Sequence, residues 1–251
     1  MIESSFDSGV GTLKLNHPPL NILTRAMLAE LRGALRGMAE KQDLRVLVLA
    51  AQGRHFSAGA DVAEHLPPEF QALIPEFIDT VKRISEFPAP VVAAVRGKCL
   101  GGGFEVVQAA DMIVAGEGAS FGQPEILLGV AAPVACALLP ELCGPGLAAE
   151  LLLTGETLGA RQAFEAGLVR RMVADEAVDS AAMDLAHRMA RHSGAALRLT
   201  KRALRTGLAA RRTAALAAAA SIYVDELMQT TDAVEGLHAF LEKREPTWKH
   251  R

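Results

Sequence analysis

The sequence predicts an α/β fold in which buried strands alternate with helices and a purely helical segment ends the chain. Three observations support this prediction. Short apolar runs without alternation, typical of parallel strands covered on both faces, recur along the first part of the chain. Segments with helical spacing separate these runs. After residue 175 the strand patterns stop and only helical patterns remain, which indicates a core followed by a helical unit.

The elements of the first part follow one another in a regular order. Residues 11–16 alternate apolar and polar side chains, which indicates a half-buried strand. Residues 24–40 open with Thr24, a favourable N-cap, and repeat apolar side chains at three- and four-residue steps, which predicts an amphipathic helix. Apolar runs predict buried strands at 45–51, 90–95 and 112–115, and helical spacing predicts helices near 69–87 and 103–110.

The C-terminal part is predicted to be helical almost throughout. Helical patterns extend over residues 176–243, with interruptions expected at Gly194, Gly207 and Gly236 because glycine weakens a helix. We therefore predict a core of residues 1–190 that contains the ligand site and a helical region of residues 191–251.

The composition restricts the class of protein. A chain of 251 residues with 50% hydrophobic and 22% charged residues is an ordinary globular sequence. The net charge of −3 argues against a nucleic-acid partner. No apolar stretch reaches the ~18 residues of a membrane helix, and acidic residues occupy the start where a signal peptide is basic. We predict a cytoplasmic protein without membrane contact, and the spacing of histidine and cysteine predicts no metal site.

Two glycine-rich turns follow two of the predicted strands, at residues 53–61 and 97–105. The triple glycine of the second turn permits close approach of a ligand to the backbone, and it leaves N–H groups free at the start of a helix. Such groups favour an anion, but both phosphate-binding glycine patterns are absent, and Glu105 would repel a phosphate. The two turns instead predict an oxyanion hole with one N–H group from each.

Two carboxylates stand near this predicted site. Glu105 follows the second turn, and Glu125 follows Pro124, which suits the first position of a helix. Paired carboxylates that flank a substrate can act as acid and base on one water molecule. The spacing is equally compatible with two glutamates that only stabilise helix starts.

The segments that contain these residues resemble the enoyl-CoA hydratase/isomerase (crotonase) family. The matching segments occur in the order of the family and span nearly the whole chain: 56–61, 100–105, 110–111, 121–125, 153–156, 163–169 and 235–244. The resemblance implies a spiral of ββα units with a helical C-terminal region that forms a homotrimer or a dimer of trimers. It implies an acyl-CoA thioester as substrate and no separate cofactor, because coenzyme A is part of the substrate.

The resemblance also implies roles for individual residues. The N–H groups of Ala60 and Gly102 match the oxyanion hole, and Glu105 and Glu125 match the catalytic glutamates of hydratases. Ala58 matches a contact to the adenine of coenzyme A, and Lys243 matches a lysine that reaches its phosphates. The full set of expected substrate-binding residues is Leu20, Ala58, Asp61, Gly101, Pro133 and Lys243.

One loop departs from the family pattern. Residues 129–140 lack three glycines that usually follow the second glutamate, and Pro133 falls where an N–H group usually helps to hold the catalytic water. Proline has no such group, so either the water is held differently here or the register shifts by one residue. The sequence of this loop most resembles that of the family branch that hydrates cyclohexa-1,5-diene-1-carbonyl-CoA. We predict a hydratase, with two alternatives: a double-bond isomerase, which needs one base, or a CoA-ester-binding module without catalysis.

Overall fold

The computed structural model describes all residues, Met1–Arg251, and contains nine strands and nine α-helices. The strands are β1 (Ile2–Asp7), β2 (Val10–Leu15), β3 (Val46–Ala51), β4 (Val91–Val95), β5 (Lys98–Leu100), β6 (Met112–Gly116), β7 (Ser120–Gly122), β8 (Thr157–Gly159) and β9 (Arg171–Val173). The helices are α1 (Arg25–Ala39), α2 (Phe70–Ser85), α3 (Gly102–Gln108), α4 (Pro133–Cys143), α5 (Pro145–Thr154), α6 (Ala160–Glu165), α7 (Val178–Ala190), α8 (Gly194–Ser221) and α9 (Thr231–Leu241).

The strands form two sheets. The larger has the order β1-β2-β3-β4-β6-β9, in which only the β1–β2 pair is antiparallel. The smaller has the order β5-β7-β8, with β5 and β7 parallel. Each step from a strand of the large sheet to one of the small sheet, β4 to β5 and β6 to β7, takes only a few residues. The backbone therefore turns sharply at these points, and the first of them lies at the start of the glycine-rich segment 97–105.

The central strands of the large sheet are buried on both faces. Alternate side chains of β3, such as Leu47 and Leu49, join the main core. Their neighbours Val46 and Val48 pack with the side chains of α7 in a second apolar cluster. This double burial explains why β3 reads as an uninterrupted apolar run. The α/β class predicted from these runs is confirmed.

The predicted strands and helices of the core lie within two residues of the observed ones. Thr24 caps α1 as expected, since its side chain accepts a hydrogen bond from the Met27 N–H at 3.2 Å. The sequence patterns did not indicate five strands, namely β1, β5, β7, β8 and β9. Four of these have only three residues, too few for a periodic pattern, and β1 lies almost entirely at the surface.

Two of the three predicted helix interruptions are wrong. Gly194 begins α8, but Gly207 lies inside α8 and Gly236 lies inside α9. A Cβ atom at Gly236 would come within 2.1 Å of the Leu128 carbonyl oxygen. Glycine at this position therefore permits direct backbone contact between α9 and the turn that contains Leu128, and it does not end the helix.

A buried ion cluster joins α8 to the core. Asp111 accepts a hydrogen bond from the Val91 N–H at 2.7 Å and pairs with Lys201 at 2.7 Å and Arg205 at 2.6 Å. Lys201 also donates to the carbonyl oxygen of Ala89. Asp111 thus has a structural role at the boundary between α3 and β6. None of the helices combines the length and hydropathy needed to cross a bilayer.

Candidate active site

A cavity of about 390 Å³ opens between α2, the glycine turns and α9. Most of its wall is apolar, with Leu73, Ile74 and Phe77 of α2 on one side. The polar or charged side chains that line it are those of His65, Glu105, Glu125 and Arg244. An apolar cavity with a few convergent polar groups is typical of a small-molecule site.

The N–H groups of Ala60 and Gly102 both lie at this cavity and are free of protein partners. Leu23 and Ala60 form an isolated parallel bridge. In this bridge the Leu23 N–H donates to the Gly59 carbonyl at 2.9 Å, and the Leu23 carbonyl accepts from the Asp61 N–H at 3.1 Å. The N–H group of Ala60 itself therefore has no partner. Gly102 is the first residue of α3, where N–H groups have no partner within the helix. A Cβ atom at Gly102 would lie 3.2 Å from that of Ala60, so the two residues are in contact.

The loop that presents Ala60 is held from behind by buried polar groups. The amide nitrogen of Asn21 donates to the carbonyl oxygens of Gln52 and His55, each at 2.9 Å. The Ser57 hydroxyl donates to the Asn21 carbonyl at 2.8 Å and accepts from the Gly59 N–H at 3.2 Å. These bonds fix the loop before any ligand binds, which is a requirement for a preorganised oxyanion hole.

Position 101 requires glycine for two reasons: its backbone conformation disfavours a side chain, and a side chain there would collide with a neighbour. Its φ of +51° lies in a region that side chains disfavour. A Cβ atom there would lie 2.6 Å from Oε1 of Glu125. The glycine therefore allows the second turn to approach the carboxyl group of Glu125 directly.

Glu105 is buried against the start of α4. Its side chain is 4% exposed, and Oε1 accepts hydrogen bonds from the N–H groups of Val134 at 2.8 Å and Ala135 at 3.0 Å. Burial raises the pKa of Glu105 to about 7, although the two N–H donors act to lower it. The carboxyl group is thus poised to give or take a proton near neutral pH.

Glu125 lies in a 3₁₀ turn, Pro124–Leu128, and its carboxyl group is close enough to Glu105 to be affected by its charge. Burial first, and then that charge, raise the pKa of Glu125 well above its usual range. With the Gln123 amide oriented to satisfy its partners, its nitrogen donates to the two Glu125 oxygens at 3.1 and 3.3 Å. Its oxygen then accepts from Gln108 at 2.8 Å.

The two carboxyl groups are best described as a pair that holds one proton near neutral pH, since like charges in a buried site do not both ionise readily. The sequence left open whether the glutamates merely stabilise helix starts. Glu105 does bind the first N–H groups of a helix, but that helix is α4 and not its own α3. Both carboxyl groups also line the cavity, so a helix-capping role alone does not account for them.

The structure brings most of the expected site residues together at this cavity. Its lining includes the two glutamates, the two oxyanion-hole candidates, and also Ala58, Gly101 and Pro133. Three expected substrate-binding residues lie outside the lining. Leu20 only accepts the Ala58 N–H through its carbonyl at 2.9 Å, Asp61 accepts the Ala63 N–H through its carboxylate at 2.8 Å, and Lys243 is exposed beyond the end of α9.

Two polar residues of the wall were not predicted from the sequence. Arg244, next to Lys243, reaches the cavity and pairs with Glu235 at 2.6 Å. The ring of His65 also lines the cavity, and its Nδ1 bonds to the Asp61 carbonyl at 2.8 Å. Because that carbonyl can only accept, Nδ1 carries the proton in the neutral ring and Nε2 is an acceptor. Burial lowers the pKa of His65, which favours the neutral ring.

Comparisons with known proteins identify the family. The model of the enoyl-CoA hydratase/isomerase family matches residues 5–251. The chain is 38% identical over 98% of its length to cyclohexa-1,5-dienecarbonyl-CoA hydratase of Thauera aromatica, of which 95% is covered. It is 37% identical over 95% of its length to 2,3-dehydroadipyl-CoA hydratase of Escherichia coli, of which 94% is covered.

A solved structure agrees over the whole chain. The crystal structure of an enoyl-CoA hydratase/isomerase from Pseudoalteromonas atlantica has a TM-score of 0.90 and 30% identity, and the match covers 98% of this chain and 99% of the other. The crotonase-like fold expected from the sequence motifs is therefore confirmed. The chain belongs to the enoyl-CoA hydratase/isomerase family.

Proposed function

We propose that this protein adds water to the double bond of an α,β-unsaturated acyl-CoA thioester. The observation that supports this most directly is the position of two unused N–H groups, on Ala60 and Gly102, in the same cavity as two buried carboxyl groups. The first pair is suited to a thioester oxygen, and the second to a water molecule. The names of the relatives, which are hydratases of CoA esters, favour the same reaction.

The N–H groups would stabilise the charge that develops on the thioester oxygen. When water adds to the β-carbon, electrons move through the double bond to that oxygen and form an enolate. A donor aimed at such an oxygen contributes about 3 kcal/mol to lowering the barrier. The loop that presents Ala60 is held by the buried hydrogen bonds of Ser57, and the turn that presents Gly102 is held by the Gly101 N–H, which donates to the Gly122 carbonyl at 2.9 Å. Little reorganisation is therefore needed during the reaction.

The glutamate pair would manage the two protons of the reaction. One carboxylate takes a proton from water as the new C–O bond forms, and the other, as a carboxylic acid, gives its proton to carbon. This requires one charged and one neutral carboxyl group at neutral pH. The raised pKa values of Glu105 and Glu125 favour that state. The scheme needs no metal and no cofactor besides the coenzyme A of the substrate.

For the acyl group, we propose the ring of cyclohexa-1,5-diene-1-carbonyl-CoA. The relative from Thauera aromatica is named for this substrate and covers almost the whole chain. The wall of the cavity supplies a largely apolar surface, with Phe77 beside Gly102, against which a flat ring can pack. The start of α4, with Pro133 in its first turn, forms another part of the wall. This segment is the one whose sequence departs from the common family pattern.

We further propose that the protein forms a homotrimer or a dimer of trimers through residues 191–251. Large apolar side chains are exposed on this region, including Leu199, Leu204, Ile222 and Phe240. Light scattering coupled to size exclusion tests the assembly directly: a mass of three or six chains supports it, and a monomer contradicts it.

A parallel assay of two substrates tests the activity. Purified protein is incubated with crotonyl-CoA and, separately, with cyclohexa-1,5-diene-1-carbonyl-CoA, and mass spectrometry follows the gain of one water molecule. We expect an adduct of the cyclic diene and little adduct of crotonyl-CoA. Efficient hydration of crotonyl-CoA would contradict the ring substrate but support a hydratase.

Double-bond isomerisation is the second candidate, because Pro133 leaves the first position of α4 without an N–H group for a water molecule. Both α,β- and β,γ-unsaturated CoA esters are therefore included in the assay, and NMR follows the position of the double bond. A shifted double bond without any water adduct would replace hydration by isomerisation. Stabilisation of the protein by CoA esters without turnover of any of them would indicate a binding module.

A further inference from the structure

Two buried glutamines stand behind the carboxyl group of Glu125. Gln108 is the last residue of α3, and Gln123 directly precedes the 3₁₀ turn that contains Glu125. The two glutamines are 2% and 1% exposed, and neither lines the cavity. A buried amide is unfavourable unless its nitrogen and its oxygen are both hydrogen-bonded, so the partners of these two side chains indicate why they are there.

The two amides and the carboxyl group form one chain of hydrogen bonds. The Gln108 nitrogen donates to the Gln123 oxygen at 2.8 Å, and the Gln123 nitrogen lies 3.1 and 3.3 Å from the two Glu125 oxygens. An amide nitrogen can only donate, and an ionised carboxylate can only accept. The chain therefore suits the ionised form of Glu125.

The far end of this chain has no partner. The oxygen of the Gln108 amide is buried and makes no hydrogen bond. An unsatisfied buried acceptor destabilises the folded protein, and an apolar side chain of similar size would avoid the penalty. Packing alone therefore does not explain a glutamine at this position. Its nitrogen does explain it, because the Gln123 oxygen needs a donor.

The donor of Gln108 decides which way the Gln123 amide points. If that amide were turned end for end, its nitrogen would face the Gln108 nitrogen, and its oxygen would face the two oxygens of Glu125. Two donors would then meet without an acceptor, and the carboxyl group could bond to the amide only in its protonated form. The nitrogen of Gln108 thus selects the orientation in which Gln123 donates to Glu125.

We propose that Gln108 is a positioning residue of the candidate active site, which holds the Gln123 amide with its nitrogen toward Glu125. The effect on the reaction rate rests on the proposed hydration, whereas the orientation itself is a property of the folded chain. Gln108 follows Glu105 by three residues on α3, a separation that places both side chains on one face of the helix. The same helix therefore carries one carboxyl group of the pair and supports the other through Gln123.

The orientation of Gln123 affects the charge of the glutamate pair. A donor that faces a carboxyl group favours its ionised form, and an amide oxygen that faces it favours the protonated form. Without Gln108 the Gln123 amide is free to turn, so the pair ionises at higher pH. The Cys136 thiol and the Tyr223 phenol also feel the charge of Glu125, but burial raises the pKa of both, that of Cys136 to about 11. Neither group ionises near neutral pH, where the effect on the pair is expected.

The test replaces Gln108 by methionine, which has nearly the same length but cannot donate to Gln123. Hydration is measured between about pH 5 and pH 9 on whichever unsaturated CoA ester the wild type hydrates. We expect the limb of the kcat profile that rises as the pair ionises to move up by about one pH unit, which lowers kcat about tenfold on its acidic side. KM should not change, because Gln108 does not line the cavity.

Urea unfolding gives a second measurement that does not depend on catalysis. A carboxyl group whose pKa is higher in the folded state loses its contribution to stability as the pH rises through that pKa. Because Gln108→Met raises the pKa of the pair further, the variant should fall further below the wild type as the pH rises from 4.5 to about 8. A purely structural role would lower stability equally at every pH.

Two more variants complete the experiment. Gln108→Leu removes the same donor with a branched side chain and should shift both measurements in the same direction. Gln162→Met is the matched control, because Gln162 lies at the surface of α6, where its side-chain oxygen accepts from the Gly159 N–H at 3.0 Å, and its replacement should leave both pH dependences unchanged.

A kcat profile and a stability difference that keep the pH dependence of the wild type in both Gln108 variants would overturn the positioning role. A wild type that hydrates no ester would overturn the proposed function, and a pH-dependent difference in unfolding would then still support the role of Gln108.

Discussion

Replacement of Glu105 by glutamine should make the protein inactive and, above neutral pH, more stable. Burial raises the pKa of this carboxyl group from 4.5 to about 7. Because the pKa of the folded state is the higher one, the carboxyl group contributes its full stability below pH 4.5, and that contribution is lost as the pH rises through 7. At roughly 1.4 kcal/mol for each pH unit, the loss amounts to about 3 kcal/mol.

The amide of the Glu105→Gln variant does not titrate, while its oxygen can still accept from Val134 and Ala135. The free energy of unfolding of the variant should therefore gain about 3 kcal/mol on that of the wild type between pH 4.5 and pH 8. Removal of the charge of Glu105 also removes one cause that raises the pKa of Glu125, which acts in the same direction. Hydration should fall by at least about a hundredfold because an acid–base group is lost.

The assay is urea unfolding of both proteins at several pH values and one protein concentration, since an oligomer unfolds in a concentration-dependent way. Glu150→Gln is a matched control, because Glu150 lies exposed on α5 and its replacement should give no pH-dependent difference. A difference between the Glu105 variant and the wild type that stays constant from pH 4.5 to pH 8 would refute the argument that burial stores free energy at this site.

Three further substitutions test the site, helix α1 and the buried ion cluster. Gly101→Ala should lower kcat at least about tenfold, because its Cβ would lie 2.6 Å from Glu125 Oε1, and steady-state hydration kinetics measure this. Gly33→Ala in α1, where the new Cβ meets nothing within 4 Å, should leave kcat unchanged and add about 1 kcal/mol of stability. Asp111→Ala should lower the free energy of unfolding by about 3–5 kcal/mol, because it leaves the buried Lys201 charge unpaired. Urea unfolding measures this free energy, and a loss below about 1 kcal/mol would contradict the buried-pair argument.

The sequence predicted the parts of the fold that depend on local patterns. The apolar runs of β3, β4 and β6 reveal double burial directly, and the spacing of α1 reveals its buried face. Short strands such as β5 and β7 contain too few residues for a pattern, and their pairing depends on contacts between distant parts of the chain. Gly236 shows the same limit, because its contact with the Leu128 carbonyl is a property of two packed segments.

The candidate site was predictable to a similar degree. Glu105, Glu125 and the glycine turns stand in motifs with a chemical meaning of their own, and the structure places them around one cavity. His65 stands in no motif. Its place in the cavity wall depends on the packing of distant parts of the chain, so it could not be inferred without the tertiary structure.

The contact of Gly236 with the Leu128 carbonyl gives the site a mechanical property. Where two helices meet through side chains, rotation about side-chain bonds absorbs small displacements. Here the backbone of α9 contacts the backbone of the 3₁₀ turn that contains Glu125, so no side-chain rotation can absorb a displacement between them. Residues of α9, among them Gly236 and Leu237, also line the cavity. A displacement of α9 would therefore pass directly to the turn that contains Glu125.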